Sequence, residues 1–266
     1  QGFNYDDLDG TASDHLTTPE LVDVLADSQR PYLDVLSFDA CLMAMAEVGF
    51  SLAEHTGVFV ASQEVVGANG HDYTTLFEVL EEDPETIGAE ALATGFVDSY
   101  EDQYEGDFWG WDTHSAISTD GYSLLLETLG DFVDVGLAGN GNDIDVLRDA
   151  RDDAIPYDIA FLRDLGSFMS PVADNANASP ALREAAVAVE DAIEAMTLAR
   201  SDDKRDSSGI SIFLPDNATT AGSWYTTPYS SFDESTGWSD LIDTMGGSGG
   251  SNTGSSGGRS ITGPDW

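Results

Sequence analysis

Positive charge is what this chain most lacks. Its 266 residues hold 9 Lys and Arg against 50 Asp and Glu, a formal net charge of −41, and Lys204 is the sole lysine. Such a surface repels phosphates, which excludes a general nucleic-acid binder, and it disfavours docking on anionic membranes. Cysteine is almost missing as well. Cys41 stands alone, which excludes an internal disulfide and any multi-cysteine metal cluster. No run of 18 apolar residues occurs, so no segment reads as a bilayer-spanning helix. Hydrophobic residues nevertheless make up 41% of the chain. That fraction argues against disorder, and at this length it supplies the core of one large domain or two small ones.

The acids are spread along the chain rather than gathered in a tail, as at Asp6, Asp7, Asp9, Glu81, Glu82, Asp152, Asp153, Asp202 and Asp203. Their mutual repulsion strains a compact fold in dilute buffer, whereas at molar salt the Debye length shrinks to about 3 Å. Abundant Asp with almost no Lys therefore reads as adaptation to very high salt. A calcium-loaded surface is the competing reading. Asp7, Asp9 and Gly10 fit three positions of a calcium loop, but Leu16 occupies the place of the closing acid.

No internal repeat is visible. The first 16 residues read as an acidic loop. Thr17-Thr18-Pro19-Glu20 is a helix start, with a cap, an early proline and an early acid. Buried strands are expected at 33–38, 58–61, 113–118 and 209–214, from short β-prone runs. Helical spacing covers 42–54, 73–104 with a break at Asp83-Pro84, 120–138, 142–152, 157–169, 180–200 and 238–244. Strands alternating with long helices predict an α/β domain with a largely parallel sheet, over residues 1–245. From 246 to 266 the composition changes to GGSGGSNTGSSGG and a short tail, a flexible linker that implies a further element such as another domain or an anchor.

Cys41 falls where the 33–38 strand gives way to the predicted 42–54 helix. Sites in parallel α/β sheets form at the carboxyl ends of strands. A helix N-terminus there favours thiolate over thiol and offers free N–H groups to an oxyanion. The position thus suits a nucleophile, although a buried structural cysteine is the bland alternative.

The neighbouring residues add to this. Phe38-Asp39-Ala40-Cys41-Leu42-Met43-Ala44, with Glu47 one turn on, resembles the nucleophile motif of the clostripain-like cysteine peptidases. Ala61-Ser62-Gln63-Glu64 followed by Gly67, Gly70 and Tyr73 is similar to that family's next segment. Tyr157 to Phe168, Gly209 to Pro215 and Tyr229 to Leu241 resemble its later parts in order, so the likeness spans about residues 3–244. The resemblance implies a caspase-like three-layer α/β sandwich with a mostly parallel central sheet flanked by helices. It also implies hydrolysis of peptide bonds through a thioester acyl-enzyme by a Cys–His dyad. No organic cofactor is implied. Calcium dependence is known within the family, and no metal site can be assigned from these residues. An extracellular or cell-surface location fits the linker and the family.

The family's catalytic histidine lies in a His-Gly pair upstream of the acidic loop, and this chain contains no His-Gly. His55 is 14 residues past Cys41 on the same predicted helix, about 20 Å away at 1.5 Å per residue. His15 sits in the acidic loop, from which it could swing near the site; His71 lies beside the presumed specificity loop, as an ordinary loop histidine or a substrate contact; and His114 lies along a strand as a structural residue. The expectation is a chain incomplete for catalysis by itself, either a fragment or a processed heavy chain whose light chain carries the histidine.

Asp39, two residues before Cys41, is read by the resemblance as the carboxylate of the primary specificity pocket, selecting Arg or Lys at the cleavage site of a peptide or protein substrate. Capping of the following helix is its other reading. Asn69 and Asp72 are the next candidates for that pocket, with Glu64 a substitute. Phe108, Trp109 and Trp111 read as a surface loop packed on the core, with a peptide-binding wall as the sharper reading. A non-catalytic binding module on the same fold, displayed on a cell surface, is the alternative function. A His-Gly immediately upstream would separate the two.

Overall fold

The computed structural model describes residues 2–6, 14–82, 84–105, 113–201, 205–216 and 229–246. The chain begins with a hairpin where the sequence suggested a loop. Strands β1 (Gly2–Asp6) and β2 (Asp14–Thr17) pair antiparallel. Helix α1 (Thr18–Asp27) starts at a capping box. Thr17 accepts from the Glu20 N–H, and the Glu20 carboxylate accepts from the Thr17 N–H at 2.8 Å.

The central sheet runs in the order β3 (Leu33–Ser37), β4 (Thr56–Ala61), β5 (Ser115–Ser118) and β7 (Thr197–Arg200). Only β3–β4 is parallel, while β4–β5 and β5–β7 are antiparallel, so the sheet is mostly antiparallel rather than mostly parallel as expected. The count of helices explains it. A single helix, α2 (Ala46–Leu52), separates β3 from β4. Two among the described residues, α3 (Tyr73–Glu82) and α4 (Ala89–Tyr104), separate β4 from β5. Four separate β5 from β7: α5 (Tyr122–Leu137), α6 (Gly141–Asp153), α7 (Leu165–Asp174) and α8 (Pro180–Met196). One helix carries the chain across to the other end of the sheet, whereas an even number returns it to the end it left.

Residues along β4 alternate between two cores, which is why the run TGVFVA is apolar throughout. Val58 and Val60 pack with Ala93 and Val97 of α4. Phe59 and Ala61 join the larger core with Leu125 and Leu129 of α5 and Val189 and Ile193 of α8. Helices therefore cover both faces, and the three-layer α/β architecture expected from the sequence is present. Burial of some three dozen large apolar side chains in the larger core, at about 1.5–3 kcal/mol each, drives the assembly.

Three helix expectations are corrected. Helix α2 begins at Ala46 instead of residue 42, because the amides of Leu42 and Ala44 bond sideways to the Glu64 and Ser62 carbonyls. Residues 157–169 form a turn, the strand β6 (Leu162–Asp164) and the start of α7, with Asp164 capping Ser167 N–H at 2.7 Å. Helix α8 stops at Met196, where Thr197 and Leu198 turn into β7 against β5. Strand β8 (Ser211–Phe213) pairs antiparallel with β6, and Ser211 also bridges Met45. Helices α9 (Ser230–Thr236) and α10 (Trp238–Gly246) close the fold, the buried Trp238 indole donating to the Phe213 carbonyl at 2.7 Å. Phe108, Trp109, Trp111 and the 247–266 tail lie outside the described residues.

Candidate active site

Cys41 stands at the apex of a chain reversal beyond the carboxyl end of β3. Phe38 N–H still bonds the Val60 carbonyl in the parallel register. Past the apex the direction inverts, with Leu42 N–H on the Glu64 carbonyl and then Ala44 N–H on the Ser62 carbonyl. Leu42 makes the reversal with φ +61°, a left-handed conformation that costs a non-glycine residue on the order of 1 kcal/mol. Four residues separate Cys41 from α2, and α2 has Met45 at its N-cap with no side-chain cap. Neither the helix-dipole argument for the thiolate nor the reading of Asp39 as a helix cap therefore survives. What meets the sulfur instead is a backbone amide: Val66 N–H donates to Cys41 Sγ at 3.3 Å. The thiol is free and exposed.

The segment that supplies Val66 is heavily anchored. Glu64 Oε1 accepts from the amides of Val65 at 2.9 Å and Asp158 at 3.0 Å, and its Oε2 pairs with Arg205 at 2.8 Å. The Arg205 guanidinium lies 5.1 Å from the centre of the Tyr157 ring. Gln63 Nε2 donates at 2.8 Å to the buried Asp164 carboxylate, which also accepts from Ser208 N–H, Ser208 Oγ and Tyr157 OH. Burial raises the Asp164 carboxyl above the usual carboxylate range despite those donors. Since Glu64 already has its cation, it is not free to select one from a substrate.

Asp39 is exposed and held from one side. Its Oδ2 accepts from Tyr73 OH at 2.9 Å and from the His71 N–H at 3.4 Å. Gly70, at φ +60°, lies so close that a Cβ there would strike the Asp39 carboxylate. Both conditions require glycine at that position.

Asn69 and Asp72 are brought together on a different surface. They line a cavity of about 490 Å³ with His71, Thr75, Ser99, Asp102 and Gln103, and neither Asp39 nor Cys41 is among its walls. Asp72 is also the cap of α3, accepting from Thr74 N–H at 3.0 Å and Thr75 Oγ1 at 2.9 Å, which lowers its carboxyl pKa.

The histidines are placed elsewhere. His71 and His114 are buried with ring centres 4.7 Å apart, and Tyr100 stacks on His114 at 4.4 Å. Desolvation lowers both imidazoles below their ordinary pKa; the neighbouring His71 lowers His114 further, whereas Asp39 and the Phe38 backbone partly offset the effect on His71. His55 follows α2 and has Nδ1 3.1 Å from the Pro31 carbonyl oxygen. The side chain of His15 lies outside the described residues. Among the described residues no group of three His, Cys, Asp or Glu is arranged to hold a metal ion, and no helix is long and apolar enough to cross a membrane.

The family model of the clostripain family, Peptidase_C11, matches residues 1–244. The chain belongs to the clostripain family. Solved C11 cysteine proteases share its fold. A Bacteroides fragilis cysteine protease superposes with a TM-score of 0.64 at 17% identity, over 90% of this chain and 98% of that one. An inactive zymogen C11 protease from Parabacteroides distasonis gives 0.62 at 18% identity, over 83% of this chain and 62% of that one. A secreted C11 protease of Bacteroides thetaiotaomicron, solved with an irreversible peptide inhibitor, gives 0.66 at 17% identity, over 90% of this chain and 67% of that one. No curated protein sequence matches the chain. Within the clostripain family, the residues that sequence reasoning missed here are Val66, whose contribution is a backbone amide with no letter of its own, and Gln103, distant in sequence and anchored to the Gly70 carbonyl at 2.9 Å.

Proposed function

We propose that Cys41 is the nucleophile of a cysteine endopeptidase that cleaves after Arg or Lys. The observation that carries this reading is the pairing, at one exposed turn, of a thiol facing a backbone N–H with a carboxylate two residues away. The Val66 amide stabilises the sulfur anion, and charge-assisted hydrogen bonds from substrate guanidinium or ammonium go to Asp39. The thiolate attacks the scissile carbonyl carbon, and the carbonyl electrons move to oxygen. The Cys41 N–H, which meets no acceptor among the described residues, donates to that oxyanion. Collapse expels the amine, which takes the proton of an imidazolium, and leaves a thioester. Water, deprotonated by the same imidazole, then releases the acid and restores the thiolate.

The imidazole comes from a histidine outside this chain, on an upstream segment or an associated light chain. What supports this is the placement of three of the four histidines, His55, His71 and His114, none of which is hydrogen-bonded to Cys41; the cleavage assay below tests His15 along with them. An extracellular setting is supported by a structural relative described as secreted. The exposed thiol weighs against the non-catalytic module.

The test is labelling of the full-length protein with an Arg-directed, thiol-reactive peptide probe. Labelling is expected on Cys41 and absent in Cys41→Ala; persistence in that variant removes Cys41 as the nucleophile. Cleavage of an Arg-amide substrate by residues 1–266 alone overturns the external histidine.

A further inference from the structure

Helix α3 carries two aromatic side chains that the core does not take. Tyr73 is 49% exposed and Phe77 57% exposed. They stand four residues apart on one face of the helix, and their rings stack with centres 6.4 Å apart and planes 29° from parallel. Among the described residues no other two exposed large hydrophobic side chains stack on each other. A single exposed apolar residue needs no explanation, whereas an adjoining pair on so acidic a surface marks a place of contact. The pair is also held in place. Tyr73 OH donates to Asp39 Oδ2 at 2.9 Å, and its ring lies 6.1 Å from that of the buried His71. The Asp72 carboxylate fixes the first turn of α3 through Thr74 N–H and Thr75 Oγ1. A continuous strip therefore runs from the Cys41 turn through Asp39 and Tyr73 to Phe77.

A basic side chain whose head reaches Asp39 lays its methylene stem along the Tyr73 ring, because that ring ends on the same carboxylate. In an extended peptide, side chains on one side recur every second residue, at about 6.6 Å. The two rings are spaced by nearly that distance, so the residue two positions from the basic one meets Phe77. We infer that Phe77 is a specificity-determining residue, forming with Tyr73 an aromatic shelf that takes an apolar side chain of the substrate two positions from its basic residue. The inference rests on the proposed peptidase reading for the identity of the occupant, and it adds an apolar requirement to the charge requirement. The composition gives such a contact a use. At molar salt the Debye length is about 3 Å and the reach of the Asp39 charge is short, whereas burial of an apolar ring is not screened.

The experiment is calorimetric titration of the full-length protein carrying Cys41→Ala with three peptide amides: acetyl-Ala-Ala-Arg-Ala-Ala, acetyl-Phe-Ala-Arg-Ala-Ala and acetyl-Ala-Ala-Arg-Ala-Phe. In that background Phe77→Ala and Asp39→Asn are compared with Leu124→Ala, a control for apolar surface elsewhere. Phe77 and Leu124 are both exposed, so neither substitution endangers folding. One of the two phenylalanine peptides is expected to bind about tenfold more tightly than the alanine peptide. Phe77→Ala abolishes that advantage and leaves the alanine peptide within about twofold, while Leu124→Ala changes neither. Between about 0.1 M and 3 M sodium chloride the advantage persists, while the loss caused by Asp39→Asn shrinks. No phenylalanine advantage, one that survives Phe77→Ala, or one that falls equally in Leu124→Ala overturns the shelf; if Asp39→Asn still weakens all three peptides, the specificity reading stands without it. Binding of every peptide indifferent to Asp39→Asn, or no binding, overturns the specificity reading and the shelf with it.

Discussion

The amide of Val66 points at the sulfur of Cys41 across 3.3 Å, joining the loop after β4 to the turn after β3. A backbone donor aimed at a thiol stabilises its anion without a helix terminus, and nothing on the Val66 side chain is needed for it. Val66→Pro deletes the N–H, whereas Val66→Ala keeps it. Alkylation of Cys41 by iodoacetamide at neutral pH is expected to slow by about tenfold in the proline variant and to stay within twofold of the parent in the alanine variant. Equal rates in all three proteins would show that the contact does not activate the thiol.

Gly70→Ala forces a Cβ into the Asp39 carboxylate and places a side chain at φ +60°. The backbone strain alone costs about 1–2 kcal/mol, and Asp39 must leave its bonds to Tyr73 and His71. Urea unfolding should register the stability loss, and Asp39-dependent binding of N-acetyl-arginine amide should fall with it. Retention of full binding in a destabilised Gly70→Ala protein would mean that Asp39 need not be held where it is.

The buried imidazoles make stability fall on the acid side. Both His71 and His114 have their pKa lowered below 6.5 by desolvation. The unfolded chain therefore takes up protons first, and stability present above pH 6.5 is lost as the pH falls from there toward the folded values. Asp164 acts in the opposite sense, because its raised carboxyl pKa is a penalty that protonation relieves in the carboxylate range. Urea midpoints measured from pH 8 to pH 5 should decline below pH 6.5, and the decline should flatten in His114→Phe. A parent protein with no decline would contradict the burial of the pair.

With a net charge of −41, the folded chain should gain stability as salt is added. The Debye length falls from about 10 Å at 0.1 M to about 3 Å at 1 M, and the repulsion between its exposed acids falls with it. The urea midpoint is expected to rise steadily between 0.1 M and 3 M sodium chloride. A midpoint that does not move would remove the reading of the composition as adaptation to high salt.

Much of the fold was legible in the sequence because the decisive patterns are local. The β4 run, the Thr17–Glu20 capping box and the long amphipathic helices α5 and α8 declare themselves within a dozen residues. Strand direction did not, since it follows from how many helices lie between strands and on which end each leaves the chain. Strands β6 and β7 escaped because LRD and TLAR are short and polar, and become strands only by pairing with β8 and β5. The run after Cys41 has helical spacing, yet Leu42 and Ala44 form lateral bonds that outweigh it. At the site, Cys41 and Asp39 could be named from their letters. The Val66 amide could not, because the placement of a backbone group exists only in three dimensions.

The reversal that presents Cys41 is stitched to residues 60–64 on one flank and, through the Ala44 carbonyl, to Ser211 on the other. Its mounting is tied by hydrogen bonds on both flanks. With the backbone on either side of the sulfur anchored in this way, control of turnover is expected to fall on the approach of the substrate rather than on the turn that carries the thiol.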